Sequence, residues 1–299
     1  MSQRTIPLDR PLDVVATLGP VNRGPSDPTT RCEPGQVWRA TRTAGGPATV
    51  SYRTEGSRLV VEAWGDGADQ ALDDADRVVG LDDPDDWSRG MEHPALARLL
   101  VDHPGVGQPR TGAVFETLVG AVLDQRVTSF EAQRGYEQVV QATSEPAPGP
   151  AGLWLPPDAD ALAGMAFYDL HVMGVVQVRA ETLVRLAAGA RRIDRLAGLP
   201  PVEGRARLAE LPGVDVGVAA RVAQVALGDA DAVRVGDPLL AEAVTWVLTG
   251  DASPDDEHLL EVLEPFAPHR GRVTRLVEVS GELPDRHGPR YQARDVSQA

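Results

Sequence analysis

The chain has 299 residues, a formal net charge of −15, 24% charged and 4% aromatic residues, and a single cysteine, Cys32. All 29 basic residues are arginine, which excludes a lysine Schiff base, a P-loop lysine or a lysine general base; one cysteine excludes a disulfide framework, a cysteine-only zinc site and a cysteine-ligated iron–sulfur cluster within the chain. The excess of acid argues against a generic polyanion binder, because the overall field repels phosphate.

Met1 to Pro11 carries Arg4, Asp9 and Arg10 and no apolar core, so no signal peptide is read there. No uncharged apolar stretch approaches the roughly 20 residues that span a bilayer. A soluble cytoplasmic protein with no membrane partner is expected. Residues 1–90 read as a small α+β domain. Val37 to Arg42 and Ala48 to Arg53 are strand-like and separated by Gly45-Gly46-Pro47, and Arg58 to Trp64 is a third strand ended by Gly65-Asp66-Gly67. A helix follows over 68–79, with Ala71, Leu72, Ala75, Val78 and Val79 on one face. Asp66 to Asp86 holds nine aspartates against one arginine, Arg77, and reads as a solvated acidic face, since no calcium-loop pattern is present.

Residues 91–283 read as helical. The stretch 111–142 forms two helices broken near Arg126–Ser129, and 144–157 is a Pro/Gly-rich loop. Further helices are expected over 158–165, 178–192, 204–211, 216–227, 238–248, 257–266 and 271–279, followed by a polar tail over 284–299.

Within 204–248, the turn Pro212-Gly213-Val214-Asp215 joins two helices. A helix start after such a turn offers free backbone N–H groups and a favourable dipole to a phosphate oxygen. An ordinary αα-hairpin has the same signature, and the segment alone is better read that way. Val233-Arg234-Val235-Gly236-Asp237-Pro238 comes next. Aspartate before a proline at the first helical position is an N-cap signature, the better reading for an arbitrary Asp-Pro. The functional reading adds that a carboxylate kept ionised at a helix start, behind a glycine, suits stabilisation of a cationic sugar-like transition state.

The order of these elements resembles the helix-hairpin-helix DNA glycosylase superfamily, and most of all its 3-methyladenine DNA glycosylase II (alkylation-repair) branch. The resemblance rests on 115–129 (FETLVGAVLDQRVTS), 174–187 (GVVQVRAETLVRLA), 211–222 (LPGVDVGVAARV), 228–240 (GDADAVRVGDPLL) and 265–276 (PFAPHRGRVTRL), in family order over most of 95–280. It implies a mixed fold: a small N-terminal α+β, TATA-binding-protein-like domain, then a mostly α-helical core of two lobes with a cleft between them. It implies a monofunctional enzyme of base excision repair. Such an enzyme flips an alkylated purine out of the duplex and hydrolyses its N-glycosidic bond, leaving an abasic site. Asp237 is then the catalytic carboxylate. Family members that also cut the strand use a lysine, absent here, so no lyase activity is expected.

By the same resemblance Gln125-Arg126-Val127 is the wedge that fills the gap left by the flipped base. Gly213, Val214 and Gly217 grip a phosphate, Phe266 and His269 line the base pocket, and Arg270 and Arg272 lie close by as DNA contacts. Arg126 also reads simply as an exposed helix break, and Phe266 as core. Trp246, three turns into the last-but-two helix, reads as core. The implied partner is double-stranded DNA with alkylated bases, met by a monomer in the nucleoid. No cofactor or metal is expected, apart from room for a monovalent cation at the hairpin carbonyls.

Three residues depart from the family hairpin: Asp215 for a glycine, Gly217 for a tryptophan and Val218 for a threonine. Asp215 would repel a phosphate, and Gly217 would remove a pocket wall. These departures keep a second class of function open, a non-catalytic module that binds damaged or distorted DNA. The net charge keeps a third, a helical protein-interaction domain. Clustering of the acid in 66–86 and 251–264 narrows the argument from charge.

Overall fold

The computed structural model describes residues 1–84 and 86–284; apart from Pro284, the expected polar tail lies outside them. Its N-terminal part is a five-stranded antiparallel sheet of order β1-β5-β4-β3-β2. The strands are β1 (Ser2–Pro7), β2 (Thr30–Glu33), β3 (Gln36–Thr43), β4 (Gly46–Glu55) and β5 (Arg58–Trp64). The three strands legible in the sequence form its centre. The two that were not are its edges: β1 pairs with β5 from Ser2↔Ala63 to Pro7↔Arg58, a register no local pattern encodes.

Both faces of the sheet are covered. Val37, Val50, Tyr52, Leu59 and Val61 pack under α1 (Val14–Leu18), α2 (Ala68–Asp73) and α3 (Ala75–Val78). The helix expected over 68–79 is thus two pieces, broken at Asp74, with its apolar face inward as the periodicity requires. The opposite face takes the Pro/Gly-rich loop. Ala151, Leu153 and Leu155 are buried against Trp38 and Ala40.

The helical part has two separate cores. One is built by α5 (Val114–Leu123), α6 (Ser129–Thr143), α7 (Ala159–Ala163), α8 (Phe167–Val172), α9 (Gln177–Ala188), α10 (Ala190–Asp194), α11 (Pro201–Ala209) and α12 (Val216–Val222). The other gathers Leu240, Val244, Leu259, Leu263, Val273 and Leu276 from α13 (Pro238–Thr249), α14 (Asp256–Leu263) and α15 (Arg270–Ser280). Leu96 and Leu99 of α4 (Pro94–Asp102) complete this second core. The chain therefore enters the second lobe, builds the whole of the first, and returns. Asp237 sits on the returning crossover. Among the described residues no helix is long and apolar enough to cross a membrane.

Trp246 is not core: it is 38% exposed, as is Leu239 at 56% seven residues earlier on the same face of α13. That helix is apolar nearly all round, and α4, α14 and α15 cover only part of it. The acidic segment is likewise less solvated than its composition suggests. Asp76 pairs with Arg4 and Asp74 with Arg77, while Asp83 reaches Arg272 at 2.8 Å.

Candidate functional site

Asp237 is the N-cap of α13. Its Oδ1 accepts the Leu240 N–H at 3.2 Å, Pro238 fills the first helical position, and the side chain is 43% exposed. Its other oxygen, Oδ2, lies 3.8 Å from Arg234 Nη2, and that arginine also pairs with Glu278. The loop before it is tied down from α14, where both carboxylate oxygens of Asp256 accept the Gly236 N–H at 2.9 and 3.0 Å. Asp237 is thus a partly open carboxylate on a braced loop beside one guanidinium.

The hairpin lies against this loop. Gly213 turns the chain with a φ of +87°, and a β-carbon there would stand 2.4 Å from Thr182 Oγ1 of α9. Asp215 caps α12: Oδ1 accepts the Val218 N–H at 2.8 Å, and Oδ2 accepts Gln125 Nε2 at 2.9 Å. The carboxylate feared as a bare repulsive charge is therefore engaged at both oxygens, and it bolts the hairpin to the 124–128 turn. The amides of Asp215, Val216 and Gly217 donate to no acceptor among the described residues, as expected for the first turn of a helix. Gly217 removes no pocket wall. A β-carbon there would stand 2.4 Å from the Val235 carbonyl oxygen, so the missing side chain is what lets the hairpin helix press onto the Asp237 loop. Gly217→Ala is accordingly expected to displace that loop, lowering the thermal midpoint despite the roughly 1 kcal/mol gain in helix propensity. Calorimetry checks it.

The 124–128 turn, expected to act as a wedge, is equally well defined. Arg126 is exposed, has a φ of +53°, and is the one non-glycine with positive φ among the described residues. An arginine held in this sparsely populated region must be fixed by its neighbours. They are Asp215, through Gln125, and Arg221, which holds Asp124 at 2.6 Å. Buried Arg23 stands 3.9 Å from the same carboxylate and lies over the Tyr136 ring at 4.7 Å. Side-chain contacts thus tie 124–126 to 213–221, and the side chain missing at Gly217 lets 213–221 pack on 233–237.

Other expected site residues go elsewhere. Phe266 is 4% exposed in the second core, edge-on to His93, and lies outside the cavity next to Arg234. Arg272 is 8% exposed, bound to Asp83 and over the Trp87 ring at 5.5 Å, so its guanidinium faces inward and is not placed to touch DNA. Arg270 is clamped by Asp231 at 2.5 Å and meets Glu264 at 3.2 Å. Burial raises the Asp231 carboxyl, but the Arg270 hydrogen bonds outweigh it and hold the group below the usual range. His269 packs on Trp87, and burial followed by the charge of Arg272 keeps its imidazole below its ordinary pKa. Arg270 and Arg272 lie at the joint between α15, the acidic loop and the 229–232 turn, where a buried or half-buried arginine needs a carboxylate partner.

What lies beyond Arg234 was not legible in the sequence. A cavity of 310 Å³ is lined by Gly19, Pro20, Asn22, Gln108, Pro109, Arg221, Gln224, Val225, Arg234, Gly271, Arg275 and Glu278. Gln224 lies in a π-helical turn, Ala223–Leu227, that continues α12 and puts the side chain out of the α-helical register. Arg275 is tied to the Ala16 carbonyl oxygen at 2.5 Å, which brings the N-terminal part of the chain to the cavity.

No protein-family model matches the chain, and no curated protein matches it either. Solved structures do. The 3-methyladenine DNA glycosylase from Archaeoglobus fulgidus superposes with a TM-score of 0.76 at 20% identity, covering 92% of this chain and 97% of that one. MBOgg1 in complex with a low-affinity DNA ligand gives 0.72 at 15% identity, with 94% and 97% covered. The Clostridium acetobutylicum 8-oxoguanine glycosylase/lyase, in complex with double-stranded DNA containing cytosine opposite 8-oxoG, gives 0.68 at 13% identity, with 90% and 92% covered. The fold is that of the helix-hairpin-helix DNA glycosylases.

Proposed function

We propose that the chain is a monofunctional DNA glycosylase of base excision repair that acts as a monomer on damaged double-stranded DNA in the nucleoid. The observation that carries this reading is the joining of the 124–126 turn to the hairpin through Gln125 and Asp215, with the loop of the N-capping Asp237 packed on that hairpin, on a fold shared with DNA glycosylases; Arg234, 3.8 Å from Asp237, lines the cavity beyond. A flipped nucleotide with its base in the cavity would bring its sugar to Asp237. The carboxylate stabilises the oxocarbenium-like transition state, and water completes hydrolysis. N-alkylated purines of the 3-methyladenine and 7-methylguanine type are the substrates the sequence resemblance implies. No cofactor takes part. A monovalent cation at the hairpin would have to share the Gly213 carbonyl oxygen, which faces Gln125 Nε2 at 3.4 Å.

Absence of lysine supports hydrolysis without strand cleavage. The test is base release from alkylated duplex DNA, read with and without alkali. A product strand that breaks only after alkali fits the reading, and breakage without alkali defeats its monofunctional part. Arg126→Ala is expected to weaken binding to a duplex with an abasic analogue about tenfold, or ~1.4 kcal/mol, measured by fluorescence anisotropy. The rival reading, binding without catalysis, starts from the Asp215 carboxylate at the hairpin. Tight abasic-analogue binding with no base release from any damaged duplex would favour it.

A further inference from the structure

Arg234 stands between two carboxylates, and one of its nitrogens serves both. Its Nη2 donates to Glu278 Oε1 of α15 and lies 3.8 Å from Asp237 Oδ2, within the field of that carboxylate but beyond hydrogen-bond reach. Glu278 is the one hydrogen-bond acceptor of Arg234 among the described residues, and the Arg234 Nε is buried without any. The position of this guanidinium therefore rests on Glu278. The other oxygen of Glu278 is fixed in turn by Arg275, whose Nη1 lies 3.6 Å away and whose Nη2 donates to the Ala16 carbonyl oxygen at 2.5 Å. Asp237 is engaged on one side only: Oδ1 accepts the Leu240 N–H, and Oδ2 accepts nothing among the described residues.

The surroundings leave a freed guanidinium one place to go. On the cavity side stand Arg221 and Arg275, and burial, with the charge of Arg234 adding to it, holds both below the usual arginine range. The nearby acids are occupied: Arg221 holds Asp124 at 2.6 Å, and both oxygens of Asp256 accept the Gly236 N–H. Asp237 is the carboxylate left, and a shift of about 1 Å would close the gap to an ordinary charge-assisted hydrogen bond. A carboxylate neutralised by the protein's own cation stabilises a developing sugar cation poorly. We infer that Glu278 is a positioning residue that withholds Arg234 from Asp237 and so keeps Oδ2 free for the reaction. This inference rests on the glycosylase reading and assigns a residue that controls the same site.

The test is a double-variant cycle on the full chain, read as single-turnover base release from alkylated duplex DNA. Affinity for an abasic-analogue duplex and the thermal transition are measured alongside. Glu278→Gln keeps the size of the side chain and removes its charge. It is expected to lower release about tenfold, less than the 10²- to 10³-fold set by losing the contact outright, with abasic-analogue affinity within about twofold of wild type. Introduced into Arg234→Gln, where no guanidinium can close on Asp237, the same change should cost less than about threefold. A loss of equal size with and without Arg234, a loss that falls on affinity instead of rate, or no loss at all overturns the inference while leaving a glycosylase. If Glu278→Gln does not fold, Glu278→Asp takes its place in the cycle under the same criteria, since it withdraws the carboxylate by one methylene. Release of no base by the wild-type chain overturns the glycosylase reading itself.

Discussion

Asp237→Asn is expected to lose about 10²- to 10³-fold in base release, the scale seen when one electrostatic contact to a developing charge is removed. The substitution is nearly isosteric, and asparagine is as good an N-cap as aspartate. The Leu240 amide, 3.2 Å from Oδ1, therefore keeps its acceptor. Arg234 keeps Glu278, so no buried guanidinium is stranded. The thermal midpoint and affinity for an abasic-analogue duplex should stay close to wild type, and the loss should fall on the single-turnover rate. If the variant releases base as fast as wild type, Asp237 is only a cap.

Arg39→Met is expected to have the largest effect on stability. Arg39 of β3 is 3% exposed and holds Glu116 of α5 at 2.8 Å, while Thr41 Oγ1 donates to the other carboxylate oxygen at 2.9 Å. Removing the arginine leaves Glu116 buried and uncompensated between the sheet and the helical core, a loss of about 3–5 kcal/mol. Chemical denaturation measures it. The double variant Arg39→Met/Glu116→Leu should recover most of that loss, because two apolar groups replace a buried ion pair at little net cost. A double variant no more stable than the single one would show that packing, and not charge, is at issue.

Local patterns carried most of the helices, the three central strands, the break at 126–129 and the cap at Asp237. Each is written in neighbouring residues: apolar spacing, a turn dipeptide, Asp before Pro. The failures share a different cause. Edge strand β1 is defined only by pairing with β5, some sixty residues away. Arg272 looked like a DNA contact because a basic residue near a site is normally solvated, but Asp83, from a segment read as solvent-facing acid, buries it. Gly217 looked like a lost tryptophan until Val235 was seen against it.

By itself the sequence determined chemistry by elimination. Without lysine there is no lysine Schiff base, and with one cysteine there is no cysteine-ligated cluster or disulfide framework within the chain, whatever the fold. It also placed a carboxylate at the start of a helix, because capping is local. The tertiary structure alone decided what stands beside that carboxylate: Arg234, 3.8 Å away, which lines a cavity. The cavity draws Asn22, Gln108, Arg221, Gln224, Arg234, Arg275 and Glu278 from across the chain, and the helical cores bring them together. Net charge shows why both levels matter. Its value of −15 is a sum over the chain, whereas at this cavity Arg221, Arg234 and Arg275 meet Asp124, Asp237 and Glu278, so acid and base are locally matched.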